Sequence, residues 1–249
     1  MAEHDDDAIA VMGVCKTFAV RGWLPGRPRD TVDALRGIEL HVPRGSIHGV
    51  IGPNGSGKST LLRVLATLII PDAGAARVNG FDVEYAPLEA RRQIGFTTGE
   101  ERSVYWRLTA RQNLEFAASL HHLADPDARI QSALEAAGLA DAADRSVSGF
   151  SQGMARRLGL ARAMLHQPSV LLLDEPTRSL DPVARDEFHA AAVAQRDQQH
   201  TTILLTTHDL TEAASLCDEV SVLREGCIVA DLVPTGEDQL HDELRKVAT

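Results

Sequence analysis

Nine residues of the chain, 52–60, have the types and spacing needed to hold phosphate groups. They are Gly52, Pro53, Asn54, Gly55, Ser56, Gly57, Lys58, Ser59 and Thr60. Glycines let a backbone fold closely around phosphates with its N–H groups pointing inward, and the positive end of a following helix adds to this anion nest. Lys58 is placed to reach the outer phosphates of a nucleoside triphosphate, and the Ser59 hydroxyl to bind Mg²⁺. The spacing therefore predicts a phosphate-binding loop.

A second group of polar residues follows two other apolar runs. Asp174 and Glu175 directly follow the apolar run 170–173, and His208 follows the predicted strand 202–206. Asp174 is suited to complete a Mg²⁺ shell, and Glu175 to polarise an attacking water. Ligands of parallel α/β sheets bind at the edge where these residues would lie. The alternative is that the acids cap a strand-to-helix turn and that the histidine is structural.

The elements that would position these residues alternate between strands and helices. An early antiparallel layer, with strands at 9–14, 38–42 and 46–51, leads into the phosphate loop and a helix at 61–69. Residues 96–164 are typical of a helical insert, with Thr109 and Asp127 as N-caps. Buried strands at 170–174, 202–206 and 220–223 then alternate with helices at 182–196 and 209–216, which indicates a parallel sheet covered by helices. A last amphipathic helix is predicted at 238–247.

Length and composition suit one domain spanning residues 1–249. We expect a nucleotide-binding core at residues 1–95 and 165–249, interrupted by the insert at 96–164. The apolar stretches are far shorter than the roughly 20 residues that span a bilayer, so we expect no transmembrane helix. The acidic N-terminus predicts no signal peptide. The 3 cysteines have no metal-binding spacing and are expected to be reduced.

The net charge of −10 argues against a nucleic-acid partner, which would require clustered basic residues. One local basic patch lies in the Pro/Gly-rich segment 21–30. We interpret it as a solvated loop, and contact with acidic lipid headgroups or a membrane partner is the alternative.

Taken together, the motifs resemble the nucleotide-binding subunits of ATP-binding cassette (ABC) transporters. Residues 52–60 resemble the Walker A loop, and 170–176 the Walker B strand followed by the catalytic Glu175. His208 is similar to the switch histidine, and residues 179–181, which end in Asp181, to the D-loop. Phe18 is similar to the aromatic residue that stacks on adenine, although a core phenylalanine is the alternative. The resemblance implies an α/β P-loop NTPase fold with a mainly parallel sheet, an N-terminal antiparallel layer and a helical subdomain, with ATP and Mg²⁺ as cofactors.

The signature segment of that family is less regular here. Counting back from Ala-Arg-Ala at 161–163 aligns Ser151 and Gly153 with the serine and second glycine of the signature, while Gln152 replaces its first glycine and Met154 its glutamine. The resemblance implies that Ser151 and the helix after it bind the γ-phosphate of ATP held by a second copy. Gln152 either crowds that approach or adds a hydrogen bond. A frame shifted to 148–151 breaks the spacing.

A further departure lies in residues 94–109. The family has a glutamine near Gly99, and this chain has Gly99-Glu100, so Glu100 either contacts Mg²⁺ or is a solvated acid. The same stretch resembles subunits of ABC-2-type exporters. Tyr105 and Trp106 would suit a contact with the permease if they are exposed, and burial in the insert is the alternative.

The resemblance implies an ATPase subunit that pairs head to tail with a second copy and drives an integral-membrane permease from the cytoplasmic face of the membrane. One alternative is a soluble ABC ATPase such as a cofactor-assembly factor. Another is a P-loop kinase that phosphorylates a small molecule, against which Glu175 and the signature segment argue. Transported substrate and direction would be properties of the permease.

Overall fold

A computed structural model of the chain describes residues 7–19, 31–98, 104–178, 180–236 and 240. Its strands are β1 Asp7–Ala19, β2 Thr31–Pro43, β3 Ile47–Ile51, β4 Ala73–Val78, β5 Phe81–Asp82, β6 Ile94–Thr98, β7 Val170–Asp174, β8 Thr202–Thr207, β9 Glu219–Arg224 and β10 Cys227–Leu232. Its helices are α1 Lys58–Leu65, α2 Pro87–Gln93, α3 Ala110–Leu120, α4 Pro126–Ala136, α5 Gln152–Met164, α6 Pro182–Gln199 and α7 Leu210–Leu216. The predicted α/β architecture with two β layers and a helical insert is confirmed.

The first β layer is an antiparallel sheet of four strands in the order β2-β1-β4-β5. Strand β1 lies at its centre and pairs antiparallel with both β2 and β4. Its apolar side chains at Ile9, Val11 and Val14 are fully buried, because one face of this sheet covers the core.

The second sheet has six strands in the order β10-β9-β3-β8-β7-β6, and β10 is its antiparallel member. The prediction that 46–51 joins the early antiparallel layer was wrong: β3 pairs in parallel with β8 and β9. All five residues of β3 are buried, as expected for a strand covered on both faces. Ile51 is aligned with Thr207, and Asp174 with Thr206, so the carboxyl ends of β3, β7 and β8 meet at one edge.

Three apolar clusters hold the layers together. One fills the space between the two sheets and includes α1, whose Leu61, Leu62 and Leu65 are fully buried. A second covers the opposite face of the parallel sheet, where Phe188 of α6 and Leu216 of α7 contribute. The third lies inside the helical region and joins α3, α4 and α5. The helical region therefore has an apolar core of its own.

The start of the insert and the end of α1 differ from the prediction. Residues 96–98 belong to β6, where Phe96 is aligned with Leu172 of β7. The first helix of the insert begins at Ala110, directly after its predicted N-cap Thr109. Helix α1 ends at Leu65 instead of 69, because Thr67 adopts a left-handed conformation with a φ of 59°. The predicted helix 238–247 lies outside the described residues apart from Leu240, as does the loop 21–30. Among the helices that the structure describes, none combines the length and apolar character of a membrane span.

Candidate functional site

The phosphate loop connects β3 to α1 through two left-handed glycines. Gly55 and Gly57 have φ angles of 82° and 113°, which glycine adopts readily. A Cβ atom on Gly57 would lie 2.4 Å from the carbonyl oxygen of Ala34, too close for any other residue. The loop therefore passes closely under the antiparallel sheet and leaves a concave backbone surface.

Lys58, the first residue of α1, points its side chain back along this loop. Its Nζ donates hydrogen bonds to the carbonyl oxygens of Gly52 at 2.8 Å and Pro53 at 3.1 Å. Burial lowers the pKa of Lys58, and the nearby carboxylates of Glu175 and Asp174 partly oppose that effect. The ammonium group is thus fixed at the loop as a buried positive charge.

Two predicted metal ligands meet at the edge of the sheet. The Ser59 hydroxyl donates to Oδ1 of Asp174 at 2.9 Å, and Thr206 of β8 donates to the same oxygen at 2.8 Å. Hydroxyl and carboxylate oxygens are the hard ligands that Mg²⁺ prefers. These residues fit a Mg²⁺ ion chemically. The role of Thr206 was missed by the sequence analysis, because a threonine inside an apolar strand gives no signal until the strand register is known.

Glu175 follows directly and stands in an unusual backbone conformation. Its φ is 47°, a left-handed value that is rare outside glycine and is often found at functional sites. Its backbone N–H donates to the carbonyl and hydroxyl oxygens of Thr206 at 3.0 and 3.1 Å. Its Oε1 lies 3.4 Å from Nδ1 of His208 and 4.0 Å from Nζ of Lys58. The structure therefore brings together the predicted base, the histidine and the lysine.

An open cavity of about 1160 Å³ lies in front of these groups. It is lined by the loop residues Asn54, Gly55, Gly57, Lys58, Ser59 and Thr60, by Asp174 and Glu175, and by residues of other elements that include Val32, Trp106, Ser151 and Gln152. The loop residues Gly52, Pro53 and Ser56 do not line it; Ser56 is buried and Pro53 is exposed. The cavity is bounded by the antiparallel sheet, the phosphate loop and the helical region together.

The signature segment lies on the rim of this cavity. Ser151 is the N-cap of α5, and its hydroxyl accepts a hydrogen bond from the N–H of Met154 at 3.2 Å. Gln152 begins the helix and is exposed, whereas Gly153 faces Ala184 of α6. The helix start supports the alignment that sets Ser151 at the signature serine. Whether it acts on a second copy stays a prediction.

Other predicted site residues lie outside the cavity wall. Asp181 caps α6 by accepting from the N–H of Ala184 at 2.9 Å. Phe18 is partly exposed on β1, and its register partner Val32 lines the cavity. Gly99 and Glu100 lie outside the described residues, as does residue 179 of the predicted D-loop.

A phosphate loop after a buried strand, an acid pair after a second strand and a histidine after a third define a P-loop nucleoside triphosphatase. A family model described as "ABC transporter" matches residues 35–178. The chain belongs to the ATP-binding subunits of ABC transporters, and it is an ATPase that energises such a transporter.

Relatives and solved structures agree with this assignment. The chain is 45% identical over 221 residues to the daunorubicin resistance ATP-binding protein DrrA2 of Streptomyces coeruleorubidus, covering 88% of this chain and 68% of the relative. It is 36% identical over 203 residues to the ABC transporter ATP-binding protein NatA of Bacillus subtilis, covering 81% and 82%. The fold is similar to that of cbiO1 from Clostridium perfringens, part of the ABC transporter complex cbiONQ, with a TM-score of 0.80, 26% identity and coverage of 97% and 94%.

Proposed function

We propose that this subunit works as a head-to-tail dimer that closes around two ATP molecules and drives an integral-membrane permease of the exporter type. The observation that carries the proposal is the convergence of Lys58, Asp174, Glu175 and His208 at one sheet edge, in front of the phosphate loop. Binding of ATP closes the pair and hydrolysis reopens it, which converts chemical energy into a conformational cycle.

Each residue of the site has a role that follows from its chemistry. The loop amides and Lys58 bind the phosphates, and Ser59 with Asp174 would hold Mg²⁺, which neutralises phosphate charge when bound. Glu175 accepts a proton from the attacking water, and His208 steadies the γ-phosphate.

A second set of residues would act from the rim or across the dimer interface. Ser151 and Gly153 would bind the γ-phosphate held by the partner, and Asp181 would contact the partner's loop. Phe18, partly exposed beside Val32, would stack on adenine. Glu100 would contact Mg²⁺ or the attacking water in place of the family's glutamine.

Three observations support the exporter and permease assignments. The relative DrrA2 is named for resistance to daunorubicin, which agrees with a transporter of the exporter type. Tyr105 and Trp106 are exposed, which favours the predicted permease contact over burial in the helical region. The family model favours a transporter over a soluble assembly factor. Such a subunit would lie at the cytoplasmic face of the membrane through its permease.

The Glu175→Gln variant tests this function, because Gln keeps the side-chain shape but cannot take a proton. We expect ATP turnover to fall by about a hundredfold or more, with ATP binding retained and an ATP-dependent dimer seen by size-exclusion chromatography. Wild-type turnover in this variant would show that Glu175 is not the base.

The transporter role is tested by adding an affinity tag to the Glu175→Gln variant and purifying it in detergent from its source cells. A multi-spanning membrane protein that remains bound in the presence of ATP is the expected result. A stable complex with soluble proteins alone would contradict the transporter role and favour the assembly factor. Phosphate transfer to a small acceptor by the wild-type chain, without ATP hydrolysis, would favour the kinase.

A further inference from the structure

The carboxylate of Glu175 has nitrogen neighbours on both of its oxygens. Lys58 and His208 lie nearest Oε1, at 4.0 and 3.4 Å. On the other side, Nη1 of Arg178 donates a hydrogen bond to Oε2 at 3.1 Å. Arg178 lines the cavity, and its side chain is 60% exposed. Its position in the sequence belongs to none of the motifs described above.

The proposed function assigns Lys58 and His208 to the phosphates, which would draw both of them away from Glu175. Arg178 is then the partner that stays on the carboxylate. We propose that Arg178 is a positioning residue that holds Glu175 through Oε2 and leaves Oε1 free to face the attacking water. This proposal rests on the proposed role of Glu175 as the base.

The backbone of Glu175 explains why one further contact matters. Its N–H is fixed by Thr206 at 3.0 and 3.1 Å, so the residue is anchored at the main chain. Between that anchor and the carboxylate lie three rotatable bonds. An exposed ion pair contributes little to stability, but displacement of a catalytic group by about 1 Å can lower a rate by about a hundredfold. Arg178 therefore acts on geometry more than on stability.

Arg178 is itself held by α5, the helix that begins in the signature segment and is here called the signature helix. Arg156 of α5 donates from Nη2 to the carbonyl oxygen of Arg178 and from Nη1 to that of Thr98 at the end of β6, both at 3.3 Å. A continuous set of contacts thus runs from α5 through Arg156 and Arg178 to Glu175. A rotation of the helical region that moves α5 would shift the catalytic carboxylate, so hydrolysis depends on the position of the signature helix.

Two substitutions at Arg178 test the positioning role in the full-length subunit. Arg178→Met should lower kcat about tenfold, the effect of a slightly displaced base, with KM for ATP within about twofold and with the ATP-dependent dimer still formed. Arg178→Lys should recover at least half of the lost rate, because the contact uses a single N–H. Arg111→Met is the matched control, since Arg111 pairs with the exposed Asp144 away from the cavity.

A double-substitution cycle tests the link to α5. Arg156→Met should lower kcat in the wild type but add little to Arg178→Met, because both act through the same carboxylate. Each variant is first shown to be folded by urea unfolding. An unchanged or raised kcat in Arg178→Met, a loss confined to KM or to dimerisation, or no recovery with lysine would overturn the positioning role. Independent effects of the two substitutions would overturn the link.

Glu175→Gln and Arg178→Met together separate the role of Arg178 from the role of Glu175 as the base. If Glu175→Gln hydrolyses ATP at the wild-type rate, the proposed base is wrong and Arg178 has nothing to position. If Glu175→Gln is inactive while Arg178→Met keeps the wild-type kcat, the base stands and only the role of Arg178 is wrong.

Discussion

At the residue scale, the hydroxyl of Thr206 connects the two acids of the site. It donates to Oδ1 of Asp174 at 2.8 Å and accepts from the N–H of Glu175 at 3.1 Å. Thr206 is fully buried, so water cannot replace either hydrogen bond unless the structure opens locally. A single side chain of β8 therefore fixes both the proposed metal ligand and the proposed base.

Thr206→Val keeps the side-chain shape but lacks the hydroxyl, so it should remove the hydrogen bonds of that hydroxyl to Asp174 and Glu175. We expect a loss of about 1–3 kcal/mol in the free energy of unfolding, because a buried carboxylate and amide each lose a partner, and a fall of roughly tenfold in ATP turnover. Thr206→Ser keeps the hydroxyl and is the control. Urea unfolding and steady-state ATPase assays measure both effects. Equal turnover in the valine and serine variants would contradict this role.

The identities of Lys58, Ser59, Asp174, Glu175 and His208 could be predicted because their motifs are local in sequence. Thr206 and Arg178 could not, since each acts through a contact that depends on strand register or on the path of a turn. The adenine-stacking role of Phe18 stays a prediction: Phe18 is partly exposed on β1, and its register partner Val32 on β2 lines the cavity. Residues that belong to a local motif, such as the proposed reacting groups, can thus be found from sequence more easily than the residues that orient them.

At the element scale, the starts of α3 and α4 show how N-caps differ. Thr109 and Gln112 form the complete capping box of α3. The hydroxyl of Thr109 accepts from the N–H of Gln112 at 3.1 Å, and Oε1 of Gln112 accepts from the N–H of Thr109 at 3.0 Å. This predicted cap is confirmed. Asp127, the predicted cap of α4, was wrong, because the helix begins at Pro126, two residues before the predicted start, after a left-handed Asp125. Proline suits the first helical position and so moved the start.

Thr109→Ala removes half of that capping box. The free energy of unfolding should fall by about 1 kcal/mol, the usual effect of losing such a cap, as measured by urea unfolding. Asp125→Asn is the matched control, because Asp125 makes no side-chain cap bond and asparagine tolerates its backbone angle. A loss in the control as large as that in Thr109→Ala would show that the hydrogen bond is not what stabilises the helix start.

At the scale of the whole molecule, the buried His48 and the half-buried His166 link stability to pH. Burial lowers the pKa of His48 in β3 to about 4, partly opposed by Asp231. His166 follows α5, and its pKa is also lowered to about 4. Burial is the main cause, and the ring of His121, stacked with its centroid 3.8 Å away, adds to it. Both residues are neutral in the folded protein at pH values where the unfolded chain is already protonated.

The free energy of unfolding should therefore be fully retained above about pH 6.5 and fall as the pH is lowered toward about 4, the window between the unfolded and folded pKa values. Each histidine contributes a slope of up to about 1.4 kcal/mol per pH unit. Urea unfolding across this range, repeated with His48→Gln and His166→Gln, measures the effect. A slope that is equally steep in both variants would assign the pH dependence to other groups.

The order of strands in the six-stranded sheet also has a consequence for biosynthesis. The antiparallel sheet has all its strands once Asp82 has been synthesised, so it can form early. Strand β3, which carries the phosphate loop, pairs with β8 and β9, whose residues come more than a hundred positions later. Contacts so distant in sequence form slowly. On the ribosome, the nascent chain would therefore expose β3 and its loop until β8 and β9, which flank β3 in the sheet, have been synthesised.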